Sequence, residues 1–402
     1  MYSRRSGRVA PVVPAAGPLL VGLAALVVVA GCTSSGGAAS GRVTRATAPA
    51  ATQASTAPAA SQGTWRPIAA PPIPPAGGMA AAWTGRQLVV WGGGPSGTGN
   101  WEASDDGAAY DPAADRWEVL PTAPVPGRLG ASAVWSGREV LFWGGQTGPA
   151  AVAADGAAYD PAAHRWRTLP PAPIGGRSQH QAVWTGQEML VWGGIRTCCP
   201  VDGVTHDPAA AAYDPAGNRW RRLAAVPAPW SGDGGGAATV AAGVVPYVWR
   251  AGRLAGYGAA ADRWTETPGL PGRPAGPGAT VALATGDGNE LFAWTGGAGH
   301  PLEGLALRPP GPTVRTVAPL DAQTGSALVA AGPHRLFAAA GQSARILEYR
   351  IGEDRWSELP LAPVPSRSGA VLAWTGSELL YWGGNGDEGP EMDGAAWRPS
   401  GP

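Results

Sequence analysis

Apolar residues in this chain come in short runs, each closed by a turn signal, and residues 127–170 show the unit most clearly. Ala131 to Trp135 and Val140 to Trp143 are two such runs, with Ser136-Gly137 between them. A pair of that kind between two apolar runs marks a tight turn. Gly144-Gly145 stops the second run, where the backbone needs φ > 0 or close packing. A looser loop leads to a third run, Ala157 to Tyr159. Asp160-Pro161 then turns the chain, because Asp bonds backbone groups ahead of it and Pro presets φ at the next position. Arg165 to Leu169 form a fourth run, which Pro170-Pro171 end. No run has the length or the 3.6-residue period of a helix. The unit is predicted to be four short antiparallel strands.

The unit recurs. Tryptophans of the fourth strand stand at Trp65, Trp117, Trp166, Trp220, Trp264 and Trp356, at intervals of 52, 49, 54, 44 and 92 residues. The last interval is two steps of the same size. Four strands, a Gly-Gly and a late Trp at this period resemble a kelch blade, and a ring of such blades is a β-propeller. The resemblance runs from Thr64 to the end and is sharpest in units one, two, three and seven. It implies an all-β, seven-bladed propeller with four antiparallel strands per blade. Unit four keeps Val244 to Trp249 but loses its Gly-Gly. Unit five has no fourth-strand Trp, and Thr313 to Val317 are expected to stand in. Unit seven stops one strand short at Trp397, while the strand Trp65 to Ile68 lies orphaned before unit one. Pairing the two closes the ring and removes its free edge.

Residues 1–31 read as a targeting segment. Arg4, Arg5 and Arg8 form a positive region and Leu19 to Val29 an apolar one. Val29-Ala30-Gly31-Cys32 resembles the bacterial lipobox, which implies lipidation of Cys32 and a chain held at the extracytoplasmic face of the cell membrane. The alternative is an uncleaved membrane anchor, since Val9 to Gly31 carries no charge over 23 residues. Residues 32–63 are Ala, Ser, Thr, Gly and Pro with almost nothing to bury, as in a disordered tether. Residues 64–402 are the propeller.

Charge changes the picture little. The chain has 29 basic residues, all arginine, and 29 acidic ones. Removing the first 31 residues leaves 26 against 29, far from the basic surface that nucleic acid calls for. The expected partners are a protein, a peptide or a glycan, with the membrane reached through lipid.

Candidate chemistry lies at the end of the ring that carries the entry to strand one and the loop between strands two and three. Seven residues before the first-strand Trp, units two, three and seven place Arg128, Arg177 and Arg367. In kelch domains this position points at the channel mouth, so the resemblance implies a positive ring suited to a carboxylate or phosphate. The other reading is that each Arg braces a neighbouring loop. Gln179 and His180 enter the same rim. Three long loops follow the Gly-Gly positions: Gly94 to Asp106 with Trp101 and Glu102, Ile195 to Pro208 with Cys198 and Cys199, and Asn385 to Asp393 with Asp387, Glu388 and Glu391. Adjacent cysteines in an oxidising compartment pair as a strained vicinal disulfide, remain two thiols, or bridge to another chain. Most of the 19 Trp fall at repeat positions and are expected to pack between blades rather than bind sugar.

Enzyme motifs are scarce. A galactose-oxidase copper site needs a Cys–Tyr crosslink, a second Tyr and two His. The five His here show no clustered pair, so no metal and no cofactor are expected. No Gly-x-Ser-x-Gly, Walker or zinc spacing occurs. A sialic-acid mutarotase of the kelch type needs only an acidic base beside a carboxylate-binding Arg, which Glu102 or Glu388 with Arg128, Arg177 or Arg367 would supply. The expected function is a lipid-anchored binding or scaffold module, with a carbohydrate-active propeller as the alternative.

Overall fold

Short β-rich runs joined by tight turns can only form meandering antiparallel sheets, and the chain folds that way. The computed structural model describes residues 61–94, 103–196, 207–227, 237–242, 245–250, 253–267, 270, 280–285, 290–296, 301–308, 313–320, 327–332, 334–339 and 345–400. Among them, 28 strands pair into seven four-stranded antiparallel sheets. Blade 2 shows the plan: Ser132–Trp135, Val140–Trp143, Gly156–Asp160 and Arg165–Leu169, from the channel outward. Blade 5 takes Val314–Leu320 as its outer strand, where the tryptophan is missing. Blade 6 ends on Arg355–Glu358.

Gly63–Pro67 pairs antiparallel with Gly394–Pro399, and Trp65 lies opposite Trp397. The first described strand thus completes the last blade. Ser61, slightly before the predicted start of the propeller, is buried and its backbone N–H donates to the Glu358 carbonyl.

The core is divided into seven apolar clusters, one in each gap between blades. Leu380, Trp382 and Ala396 of blade 7 meet Val90 and Trp117 of blade 1, so the ring is sealed at the join as elsewhere. Second-strand tryptophans Trp91, Trp143, Trp192, Trp249, Trp294 and Trp382 are almost fully buried. Each takes about 200 Å2 out of water, on the order of 5 kcal/mol before entropy is counted.

The late Trp has a second job. Its indole N–H donates to a carbonyl at or just beyond the end of the outer strand of the preceding blade: Trp117 to Ala69, Trp166 to Pro121, Trp220 to Pro170, Trp264 to Ala224, Trp356 to Ala318 and Trp65 to Pro360. The outer rims are zipped together by one repeated bond. That is why the residue recurs at the period of the blade.

The Tyr-Asp-Pro segments are turn formers, as their sequence predicts. Asp111, Asp160 and Asp214 each accept from two backbone N–H groups just ahead. The residue five after the Tyr then sits at positive φ (Asp115, His164, Asn218, Asp262, Asp354) and meets the Tyr hydroxyl.

Candidate functional site

First strands of successive blades lie side by side around the axis. The residues just before them therefore ring one mouth of the channel, on the face that carries the long loops. Arg128, Arg177 and Arg367 sit at that position, but not with their charge in the open. All three are at most 3% exposed. Each guanidinium turns inward and clasps its own blade. Arg177 donates from Nε to the Gly175 carbonyl, from Nη1 to the Gly193 and Ala209 carbonyls, and from Nη2 to the Asp207 carboxylate at 3.2 Å. Arg128 clasps Pro126, Gly144 and Asp155 in the same way, and Arg367 clasps Pro365, Gly383 and Asp393, except that in these two Nη1 also makes the bond to the carboxylate. Burial pulls the Arg177 guanidinium below its ordinary value, and Asp207 opposes the shift.

These arginines are staples that close the loop between strands two and three, and the expected open ring of positive charge gives way to them. The physical reason is the Gly-Gly. Its backbone turns carbonyls inward within reach of a fork of N–H donors, which a planar guanidinium matches. The staple also joins neighbours, because Gly93 of blade 1 donates to the Arg128 carbonyl and Gly145 of blade 2 to that of Arg177. Nη2 of Arg128 and of Arg367 is buried with no acceptor among the described residues.

His180 is buried beside this staple. Its Nε2 is 2.9 Å from Ser132 Oγ, and its ring stands edge-on to Trp143. A methyl group on Gly144, at φ +67°, would lie 2.6 Å from His180 Cε1, so the glycine is required twice over. Burial, aided by the Arg177 charge, drives the His180 pKa down to about 3. It is a neutral bridge between inner strands, unsuited to proton transfer near neutral pH. Gln179 is different: it is exposed and holds φ +54°, where blades 1, 2 and 7 have Gly78, Gly130 and Gly369.

The loop face is thus studded with carboxylates above buried arginines. Asp155 and Asp393 are about half exposed, and Asp387 and Glu388 are exposed. Trp101, Glu102, Cys198, Cys199 and Cys32 lie outside the described residues. Among the described residues, no three His, Cys, Asp or Glu side chains stand together as a metal would need.

The opposite face, with the turns of strands one–two and three–four, carries a device that sequence reading missed. The residue after the outer-strand Trp reaches across the seam to the next blade. Arg167 pairs in a fork with Glu139 of its own blade, at 2.8 and 2.6 Å, and donates to Tyr213 Oη and Asn218 Oδ1 of blade 3. Arg66 does so with Glu378, Tyr110 and Asp115, closing blade 7 onto blade 1. Arg221 pairs with Glu188 and reaches Tyr257. Arg315 pairs with Glu290 and reaches Tyr349. Blade 1 has Glu118 and Gln87 at the two positions instead. There Tyr159 meets only His164, and burial with nearby Glu118 pushes its phenol up to about 12. Arg116, Arg165 and Arg219, each just before an outer-strand tryptophan, are exposed. Between blades 2 and 3 the turn face opens into a cleft of about 910 Å3.

The family model described as the KLHDC2/KLHL20/DRC7 Kelch-repeats domain matches residues 78–257. No curated protein matches the chain. Among solved structures, a fungal alcohol oxidase of the AA5 family in complex with copper superposes with a TM-score of 0.63 at 16% identity, over 84% of this chain and 76% of that one. That likeness is one of fold. Seven sheets of four strands define the class: the described residues form a seven-bladed β-propeller, and residues 78–257 of it match a kelch-repeat model.

Proposed function

We propose that this protein is a lipid-anchored, extracytoplasmic binding module that presents the loop face of its propeller to a polar partner, protein or glycan. Kelch propellers commonly serve as binding scaffolds, and the lipobox-like Cys32 with its Ala/Ser/Thr/Pro tether fits a domain held off a membrane. One observation carries the choice of face. Gln179 keeps its side chain exposed at the channel mouth in a left-handed conformation that other blades give to glycine. A non-glycine residue there costs about 1–2 kcal/mol, and such strain concentrates at functional positions.

Partner binding thus rests on Gln179 and the flanking loops, with the buried arginines holding those loops in shape. A photo-reactive residue placed at Gln179 of the full chain should crosslink an envelope component. The same residue at exposed Arg86, on the turn face, should not. Equal labelling from both positions, or none from 179, overturns the assignment. Cys32→Ser should move the chain from the membrane fraction to the soluble one; retention in the membrane refutes the lipid anchor.

A further inference from the structure

The cleft between blades 2 and 3 lies on the face opposite Gln179 and plays no part in the loop-face reading. Its volume, about 910 Å3, is in the range of small-molecule sites. Two features of its lining speak to what it holds. The first is charge. Three arginines and four carboxylates line it. Every one of those carboxylates already has an arginine: Glu139 has Arg167, Glu188 has Arg221, Asp214 has Arg219 at 3.3 Å, and Asp160 has Arg138 at 3.9 Å. The wall is therefore rich in fixed donors and acceptors but nearly balanced in sign. An anion or a polycation gains little there. A ligand whose groups both donate and accept gains most.

The second feature is an uncovered indole. Trp83 and Trp374, at the ends of first strands in blades 1 and 7, are 5% and 7% exposed. Trp184 holds the same place in blade 3 and, like Trp135 in blade 2, is only half-buried, but of these four indoles Trp184 is the one that lines the cleft. It packs against the blade 2–blade 3 core on one side, so its ring is held rigid. A fixed indole beside a balanced polar wall is what a sugar ring needs: C–H groups lie on the aromatic face while hydroxyls meet the charged groups. Rigid first contacts on strands and short turns keep the ordering cost of binding low.

We infer that this cleft is a binding site for a neutral oligosaccharide, with Trp184 as its stacking platform and Gln187 and Arg138 on its lip. The site is independent of the loop face.

The test titrates the full chain with three neutral trisaccharides, cellotriose, maltotriose and chitotriose, by calorimetry and tryptophan fluorescence. At least one should bind and perturb the fluorescence. Trp184→Ala should weaken it about tenfold, the loss of one stacking contact. Gln187→Ala should weaken it a few-fold, and Gln179→Gly should leave it unchanged. Failure of all three sugars at millimolar concentration overturns the inference. So does tighter binding of a sulfated trisaccharide or a lysine-rich peptide, which would mark the wall as a charged site. If Trp184→Ala fails to fold by circular dichroism, Gln187→Ala and Arg138→Ala on the exposed lip decide: unchanged affinity in both rejects the location. Loss of sugar binding in Gln179→Gly places the sugar on the loop face and rejects the cleft.

Discussion

Blades 7, 2 and 3 and blades 4 to 6 hold themselves together differently. In the first arc one solution is repeated: a buried Arg staples the loop of each blade, anchored on an Asp just before the third strand. In the second arc the described residues show a solution used once. Glu348 of blade 6 is fully buried between Arg335 at 3.0 Å and Arg350 at 3.4 Å, and Ser61 Oγ donates to it at 2.6 Å. The staple needs Gly-Gly carbonyls, and blade 4 has lost the glycines. Where the repeat has worn, a singular polar cluster takes over. Turn-face latches ignore this division, since Arg315 with Glu290 and Tyr349 serves the second arc.

The comparison breaks first at Arg177. Replacing it with Met takes the buried cation from the Asp207 carboxylate, which keeps, among the described residues, only the Ala209 N–H and the more exposed Arg196 at 3.7 Å, and leaves the Gly175, Gly193 and Ala209 carbonyls without their guanidinium donor. The expected cost is about 3–5 kcal/mol, as for one partner removed from a buried pair. Arg177→Lys should recover only part, because a point charge cannot span the fork. Arg221→Ala, at a half-exposed latch, should cost roughly 1 kcal/mol or less. Urea denaturation of the three variants measures this, and equal losses would erase the distinction between staple and latch. In the second arc, Glu348→Gln should cost on the order of 2 kcal/mol, since the amide keeps the shape but offers one acceptor to two arginines. A neutral outcome there would mean the cluster is replaceable.

These devices were unequally legible in the sequence. Ring closure was readable, because an orphan strand at one end and a missing strand at the other admit one pairing, and Trp65 lies opposite Trp397. The positions of the staple arginines were readable from spacing, but their direction was not. Direction depends on carbonyls aimed by Gly144 and Gly193, a tertiary fact. The latch did leave a trace. Trp-Arg in the outer strand goes with Gly-x-Glu in the first turn: Trp166-Arg167 with Gly137 to Glu139, Trp220-Arg221 with Gly186 to Glu188, Trp65-Arg66 with Gly376 to Glu378. Unit one changes both together, to Trp117-Glu118 and Gly85 to Gln87. Pairwise change within one chain marks contact, and reading each repeat by itself hides it.

A pH titration sharpens the contrast from the side of the first arc. His180 has a folded pKa near 3 against about 6.5 unfolded. Between those values the unfolded chain binds the proton and the folded chain does not. Stability is therefore full above pH 6.5 and falls as the solution is acidified toward 3. The expected loss between pH 6.5 and 5 is on the order of 2 kcal/mol. His180→Gln, able to keep the Ser132 bond, should flatten that limb of the stability curve. An unchanged limb would mean that His180 is not the buried neutral group.

The smallest effect has the most to say about function. Gln179→Gly relieves a left-handed conformation worth about 1–2 kcal/mol, but glycine gains freedom in the unfolded chain worth about 1 kcal/mol. The net is a stabilisation of several tenths of a kcal/mol, visible as a small rise in melting temperature. The three blades with glycine at this place show that the loop face folds without a side chain there. A residue that lowers stability and whose exposed side chain makes no hydrogen bond among the described residues is explained by what it touches outside. Gln179→Gly should accordingly melt higher and lose affinity for the loop-face partner together. Gln179→Ala should lose affinity without the gain, because it keeps the strain. If glycine raises the melting temperature and leaves binding intact, Gln179 is a tolerated imperfection and the contact must come from the long loops alone.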